Sequence, residues 1–174
     1  MIAGFGGQGI LAAGVMLANA GLLAGLQTTW LPSYGATMRG GTANCFVKID
    51  SEEIGSPYID EADFLLAFNE PSLLKFHGTV KKGGCIFANS SLIRKEVPRS
   101  DVNVFYVPAT ERARELGDVR TANVFMLGVL FSKTALLPYE SAAASLEDYF
   151  SAKSEKVIEL NKRVFRAGYE WKEG

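Results

Sequence analysis

The chain opens Met1, Ile2, Ala3, Gly4, Phe5, Gly6, Gly7, Gln8, Gly9 and runs straight into the apolar stretch from Ile10 to Leu26. Met1 to Gly4 reads as the tail of a first strand, and Gly9 to Leu23 as a long apolar helix whose glycines at 14 and 21 suggest close packing. Strand, glycine turn and helix in that order begin an α/β layer. Gly4, Gly6 and Gly9 also match the Gly-x-Gly-x-x-Gly pattern, in which amides at a helix N-terminus favour an anion and missing β-carbons let it approach. A nicotinamide site needs an acid near the end of the second strand as well. That region reads Thr28, Thr29, Trp30, Leu31, Pro32, and no Asp or Glu lies between Gly4 and Lys48. Two readings stay open: the glycines let loop, helix and a neighbouring subunit pack closely, or their amides meet a phosphate or a partner's backbone.

Working outward, the pattern alternates strands and helices. Gln27 to Leu31 is the second expected strand, and Thr42 to Ile49 a third whose Asn44, Phe46 and Lys48 alternate against Cys45, Val47 and Ile49, implying two unlike faces. Asp63 to Phe68, Cys85 to Ala88 and Val102 to Val107 complete the strands. Pro71 to His77, Ala109 to Gly117, Thr121 to Leu136, Tyr139 to Phe150 and Ser154 to Glu170 read as helices, with Ser154 as an N-cap and Val124 to Leu130 buried on most sides. No repeat or long linker divides the 174 residues, so one domain spanning 1–174 is expected.

The segment from Leu31 to Cys45 joins glycines at 35, 40 and 41, Tyr34 and Arg39 to a strand. Its glycines permit positive φ or close approach, and Arg39 offers a five-donor fork suited to a carboxylate or phosphate. Ser33, Tyr34, Gly35, Arg39, Gly40, Gly41 and Asn44 are therefore candidates for a docking loop, and a tight turn with a solvated arginine accounts for the loop equally well. Asn69 and Ser72 follow one expected strand, Asn89 and Ser91 another, where loops at carboxyl ends of parallel strands face a ligand crevice. Helix capping explains Asn69 equally well.

Composition removes several classes. A net charge of -1 with mixed signs lacks the footprint of a nucleic-acid binder, and no polybasic run marks a membrane surface. The apolar stretch near the start is broken by Asn19 and several glycines and has no basic residues before it, so it reads as a buried helix. His77 is the only histidine, most simply a helix-end surface residue. Cys45 and Cys85 stand forty positions apart with no Cys-x-x-Cys pattern, as buried thiols in a cytoplasmic protein do. Glu52, Glu53, Asp60, Glu61 and Asp63 lack calcium-loop spacing.

Taken together, the glycine loop Gly4 to Gly9, the block from Pro32 to Cys45, Ser56 with Pro57, Asn69 with Pro71 and Ser72, the segment Asn89 to Ile93 and the Asn123 helix resemble the gamma subunit of 2-oxoacid:ferredoxin oxidoreductases over nearly the whole chain. The Trp30 to Cys45 wording is most similar to the 2-oxoglutarate (KorC-type) gamma subunits, with pyruvate, branched-chain oxoacid and indolepyruvate relatives sharing the outline. The resemblance implies a three-layer α/β sandwich with a mostly parallel Rossmann-like sheet. It implies a multisubunit enzyme that converts a 2-oxoacid and coenzyme A to acyl-CoA and carbon dioxide while reducing ferredoxin. Thiamine diphosphate, magnesium and iron–sulfur clusters would then sit in partner subunits. Alpha and beta subunits, and a ferredoxin-like delta subunit in some members, would be the partners, and an isolated chain would cover its apolar surface as a homodimer. On this reading the chain carries no catalytic residue and no metal. The Gly4 to Gly9 amides and the Ser33 to Gly41 loop would form one surface against the thiamine-bearing subunits, with Arg39 on a partner carboxylate or a coenzyme A phosphate. Thr37 stands where relatives often have an acid, and the first strand starts later in them.

Overall fold

The computed structural model describes residues 1–34 and 41–173, with six strands and six helices. The strands are β1 (Ile2–Phe5), β2 (Gln27–Tyr34), β3 (Thr42–Asp50), β4 (Ala62–Ala67), β5 (Val80–Asn89) and β6 (Asn103–Val107), and the helices α1 (Ile10–Leu23), α2 (Glu70–Phe76), α3 (Ala109–Leu116), α4 (Ala122–Thr134), α5 (Tyr139–Phe150) and α6 (Glu155–Tyr169). The strands form one sheet in the order β2-β3-β1-β4-β5-β6. β1, β4, β5 and β6 pair in parallel, while β3 lies antiparallel to both β1 and β2. All strands but β3 therefore point one way, and the α/β, mostly parallel expectation holds.

The alternation along β3 maps onto the two faces. Ala43, Cys45, Val47 and Ile49 join the core that α1 and α3 to α6 cover, whereas Phe46 joins the core beneath α2. The covering is uneven: among the described residues α2 is the one α-helix on its face, where Ile93 and Val97 of an irregular segment fill in. β2 continues to Tyr34, past the expected end at Leu31. It does so because β2 is an edge strand, where Pro32, paired in register with Cys45, can lack a donor on the outward side.

Close approach is set by absent side chains. A β-carbon on Gly14 would lie 2.6 Å from Trp30 Nε1, and one on Gly21 2.6 Å from Thr28 Cγ2, so the expected tight packing of α1 on the β2–β3 pair is present. Residues 122–131 are all buried, as a helix apolar on every side must be. There α4 meets the α6 stripe of Asn161, Val164, Phe165 and Gly168, and the two backbones touch through Gly128 and Gly168. Ser154 does stand at the N-cap of α6, but its side chain makes no capping bond; its carbonyl accepts from Val157 and Ile158 instead. No helix among the described residues is long and apolar enough to cross a membrane.

A β-carbon at residue 128 would meet the α6 backbone, with Tyr169 N at 2.7 Å. Gly128→Ala should therefore lower stability by about 3 kcal/mol, read from the urea midpoint, because backbone cannot yield as a side-chain tip can.

Candidate functional site at the carboxyl edge of the sheet

The glycine loop is a closed turn. Gln8 N donates to Phe5 O at 3.2 Å, with Gly7 at φ +95°, and Gly9 at φ +73° then caps α1. Those two positions require glycine, since other residues strain in that region. Gly6 N donates to Gly41 O at 2.9 Å, and Phe5 stands in register with Thr42. The glycine loop and the end of the β2–β3 connection thus meet at one sheet edge. Gly6, Gly7, Ser33 and Thr42 are exposed there, and Asn44, in register with Ser33 and Ala3, is buried. Gly35, Arg39 and Gly40, like the side chain of Tyr34, lie outside the described residues.

Gln8 turns its carboxamide inward. Oε1 accepts from Phe5 N at 2.6 Å and from Asn69 Nδ2 at 3.1 Å, while Nε2 donates to Phe68 O at 3.3 Å. A β-carbon on Gly4 would sit 2.7 Å from that Oε1, so glycine at 4 makes room for the amide. Asn69 Oδ1 caps α2 by accepting from Ser72 N at 2.9 Å. Both residues are buried, the capping alternative in literal form. Fully buried Asn89 reaches the same Phe68 carbonyl at 3.5 Å, donates to Thr110 Oγ1 at 2.8 Å and accepts from Thr110 N. With Ser91 Oγ accepting from Glu111 N, it caps α3, whose own N-cap is Pro108 and makes no side-chain capping bond. Asn123, 5% exposed, donates to Gly9 O at 3.0 Å.

A hydrogen-bonded band therefore links the carboxyl ends of β1, β4, β5 and β6. Thr110 and Asn123 were missed as members; an isolated polar residue in the first turn of an otherwise apolar helix is the signal for Asn123. The band crosses a topological switch point, because α1 leaves β1 for one face and α2 leaves β4 for the other. Open α/β sheets bind ligands in such a crevice. Here the Gln8 amide spans it, and the Phe5 and Gly6 amides are engaged by Gln8 and Gly41.

Elsewhere, a cavity of about 570 Å³ opens at the opposite end of β1, with Asp50, Glu53, Asp60, Glu61 and Asp63 at its rim; Asp63 pairs with Lys81. Among the described residues no three His, Cys, Asp or Glu side chains group as metal ligands. Cys45 and Cys85 lie three strands apart, about 14 Å by strand spacing, which does not fit an iron–sulfur cluster held by this chain. His77 lies in a short 3₁₀ turn, and its carbonyl accepts from Arg99 Nη1.

The family model described as pyruvate ferredoxin/flavodoxin oxidoreductase matches residues 1–171. The chain belongs to this family. It is 42% identical over 98% of its length to ketoisovalerate oxidoreductase subunit VorA of Methanothermobacter marburgensis, covering 35% of that protein. It is 32% identical over 97% of its length to 2-oxoglutarate synthase subunit KorC of Methanothermobacter thermautotrophicus, covering 92% of it. The chain thus spans about a third of the ketoisovalerate relatives it matches and nearly all of the KorC ones. The solved keto/oxoacid ferredoxin oxidoreductase gamma subunit of Geobacter sulfurreducens superposes with a TM-score of 0.83 at 29% identity, over 97% of this chain and 94% of that one. A chain of the 2-oxoglutarate:ferredoxin oxidoreductase of Magnetococcus marinus gives 0.87 at 27% identity, over 97% and 29%.

Burial pushes the Cys45 thiol from 9.0 up to about 11. The folded chain holds this proton while the unfolded chain releases it, so stability is lost as pH rises from 9 to 11. Over that window wild type should lose up to about 3 kcal/mol more than Cys45→Ser, measured by urea unfolding at each pH.

Proposed function

We propose that the chain is the gamma component of a 2-oxoacid:ferredoxin oxidoreductase, packing against the subunits that carry the cofactors. The observation that supports this most is the self-satisfied carboxyl edge: the crevice where a nucleotide would lie holds the Gln8 amide, while Gly6 and Gly7 stand exposed beside Ser33 and Thr42. A bare backbone turn on a rigid rim suits the approach of another polypeptide, since interface geometry favours pre-formed surfaces. Thiamine diphosphate, magnesium and iron–sulfur clusters belong to alpha, beta and ferredoxin-like subunits in this reading, and this chain supplies shape and orientation. The assembled enzyme takes a 2-oxoacid and coenzyme A to acyl-CoA and carbon dioxide and passes the electrons to ferredoxin.

The wording from Trp30 to Cys45 favours 2-oxoglutarate as substrate. Identities of 42% and 43% to ketoisovalerate relatives, against 32% to KorC relatives, favour a branched 2-oxoacid. The larger similarity spans the same residues, so the branched substrate is the one to assay first. Co-expression with neighbouring genes, affinity purification and an assay of 2-oxoacid- and coenzyme A-dependent viologen reduction should yield a brown complex with higher kcat/KM on 2-ketoisovalerate than on 2-oxoglutarate. The reverse ranking returns the chain to the 2-oxoglutarate group. A lone colourless chain whose melting temperature rises on adding a nucleotide would replace the subunit reading with a nucleotide-binding domain.

A further inference from the structure

We propose that Gln8 is the positioning residue of the docking turn: by bridging β1 to Phe68 and Asn69 across the switch-point crevice, its carboxamide fixes Gly6 and Gly7 in the one arrangement a partner subunit's backbone meets. The inference rests on the gamma-component reading and names the residue on which that surface depends. Three features lead to it. The amide accepts from Phe5 N within the loop and from Asn69 Nδ2 and donates to Phe68 O beyond the end of β4, so the turn is anchored at its base and not at its tip. Gly4 has no β-carbon exactly where one would crowd the Gln8 oxygen, which ties the first glycine of the pattern to the glutamine as well as to the helix. At the tip, Gly7 has nothing within 4 Å of a β-carbon position, and both Gly6 and Gly7 are exposed.

A flexible glycine turn would lose conformational freedom on each association, and two adjacent glycines lose more than other residues. Anchoring the turn from below removes that cost before the partner arrives. The same anchoring explains how a Gly-x-Gly-x-x-Gly sequence stands in this chain without the acid that holds a ribose: the side chain of its own fifth residue occupies the crevice. Gln8 touches no reacting atom in this account and acts through the turn alone.

The test uses the co-expressed complex, reassociated after separating the chain, with the dissociation constant read by titration and kcat read at saturating chain. Gln8→Ala should raise the dissociation constant at least tenfold and leave kcat of the saturated complex within twofold. Val164→Ala serves as the control for lost stability, because Val164 is fully buried in α6 and makes none of the hydrogen bonds that hold the turn. It should lower the melting temperature of the chain with a dissociation constant within twofold of wild type. Gln8→Glu retains an acceptor for Phe5 and Asn69 but sets a charged oxygen against the Phe68 carbonyl in place of the donor, so its constant should also rise at least tenfold; it carries the test if Gln8→Ala does not fold. A wild-type dissociation constant for Gln8→Ala and Gln8→Glu, or an increase no larger than that of Val164→Ala, overturns the inference while leaving the subunit reading intact. A wild-type chain that associates with none of the co-expressed subunits overturns both.

Discussion

Four residues, Ile2–Phe5, hold the molecule together. Among the described residues β1 is the strand that pairs with both the antiparallel β2–β3 pair and the parallel run β4–β6, so its hydrogen bonds join the two halves of the sheet. Its side chains serve both cores: Ile2 faces the five-helix side with Leu66 and Phe87, and Ala3 faces the α2 side with Leu65 and Ala88. A strand so short leaves no slack, because a one-residue slip would exchange the two faces. The glycine turn that follows is therefore held in space by the sheet itself.

The consequence is an edge where the carboxyl ends of β1, β4, β5 and β6 are tied together. Backbone groups at the ends of parallel strands have no further ladder to join, and buried polar groups left unpaired are costly. Gln8, Asn69, Asn89, Thr110 and Asn123 meet that demand with side chains, Gln8 and Asn89 meeting at the carbonyl of Phe68 and Asn123 taking that of Gly9. In a nucleotide-binding sheet the corresponding amides are kept for a phosphate. Here the Phe5, Gly6 and Gln8 amides are taken up within the chain, and the turn is left without side-chain bulk at Gly6 and Gly7. Those properties suit the partner-facing surface proposed above.

Much of this was legible in the residues. The strand–turn–helix opening, the alternation along Thr42 to Ile49, the buried character of Val124 to Leu130 and the tight glycines at 14 and 21 all translate directly into structure, because each reflects a local period or a local steric need. What was not legible depends on partners distant in sequence. Pro32 reads as a strand end unless one knows that β2 lies at the sheet edge. Gly128 and Gly168 are unremarkable in sequence and matter because two helices cross there. Ser91 looks like a loop serine and caps a helix twenty residues on. Likewise, Gln8 reads as a variable position within a glycine pattern until Asn69 and Phe68 are placed beside it.

Hydrogen–deuterium exchange of the chain alone and within the assembled complex tests most directly whether the carboxyl edge is the partner-facing surface. Assembly should slow exchange in peptides covering residues 5–12 and 41–45 and leave those in α6 unchanged. Protection confined to residues 50–63, around the cavity at the opposite end of β1, with no change at 5–12, would contradict the account.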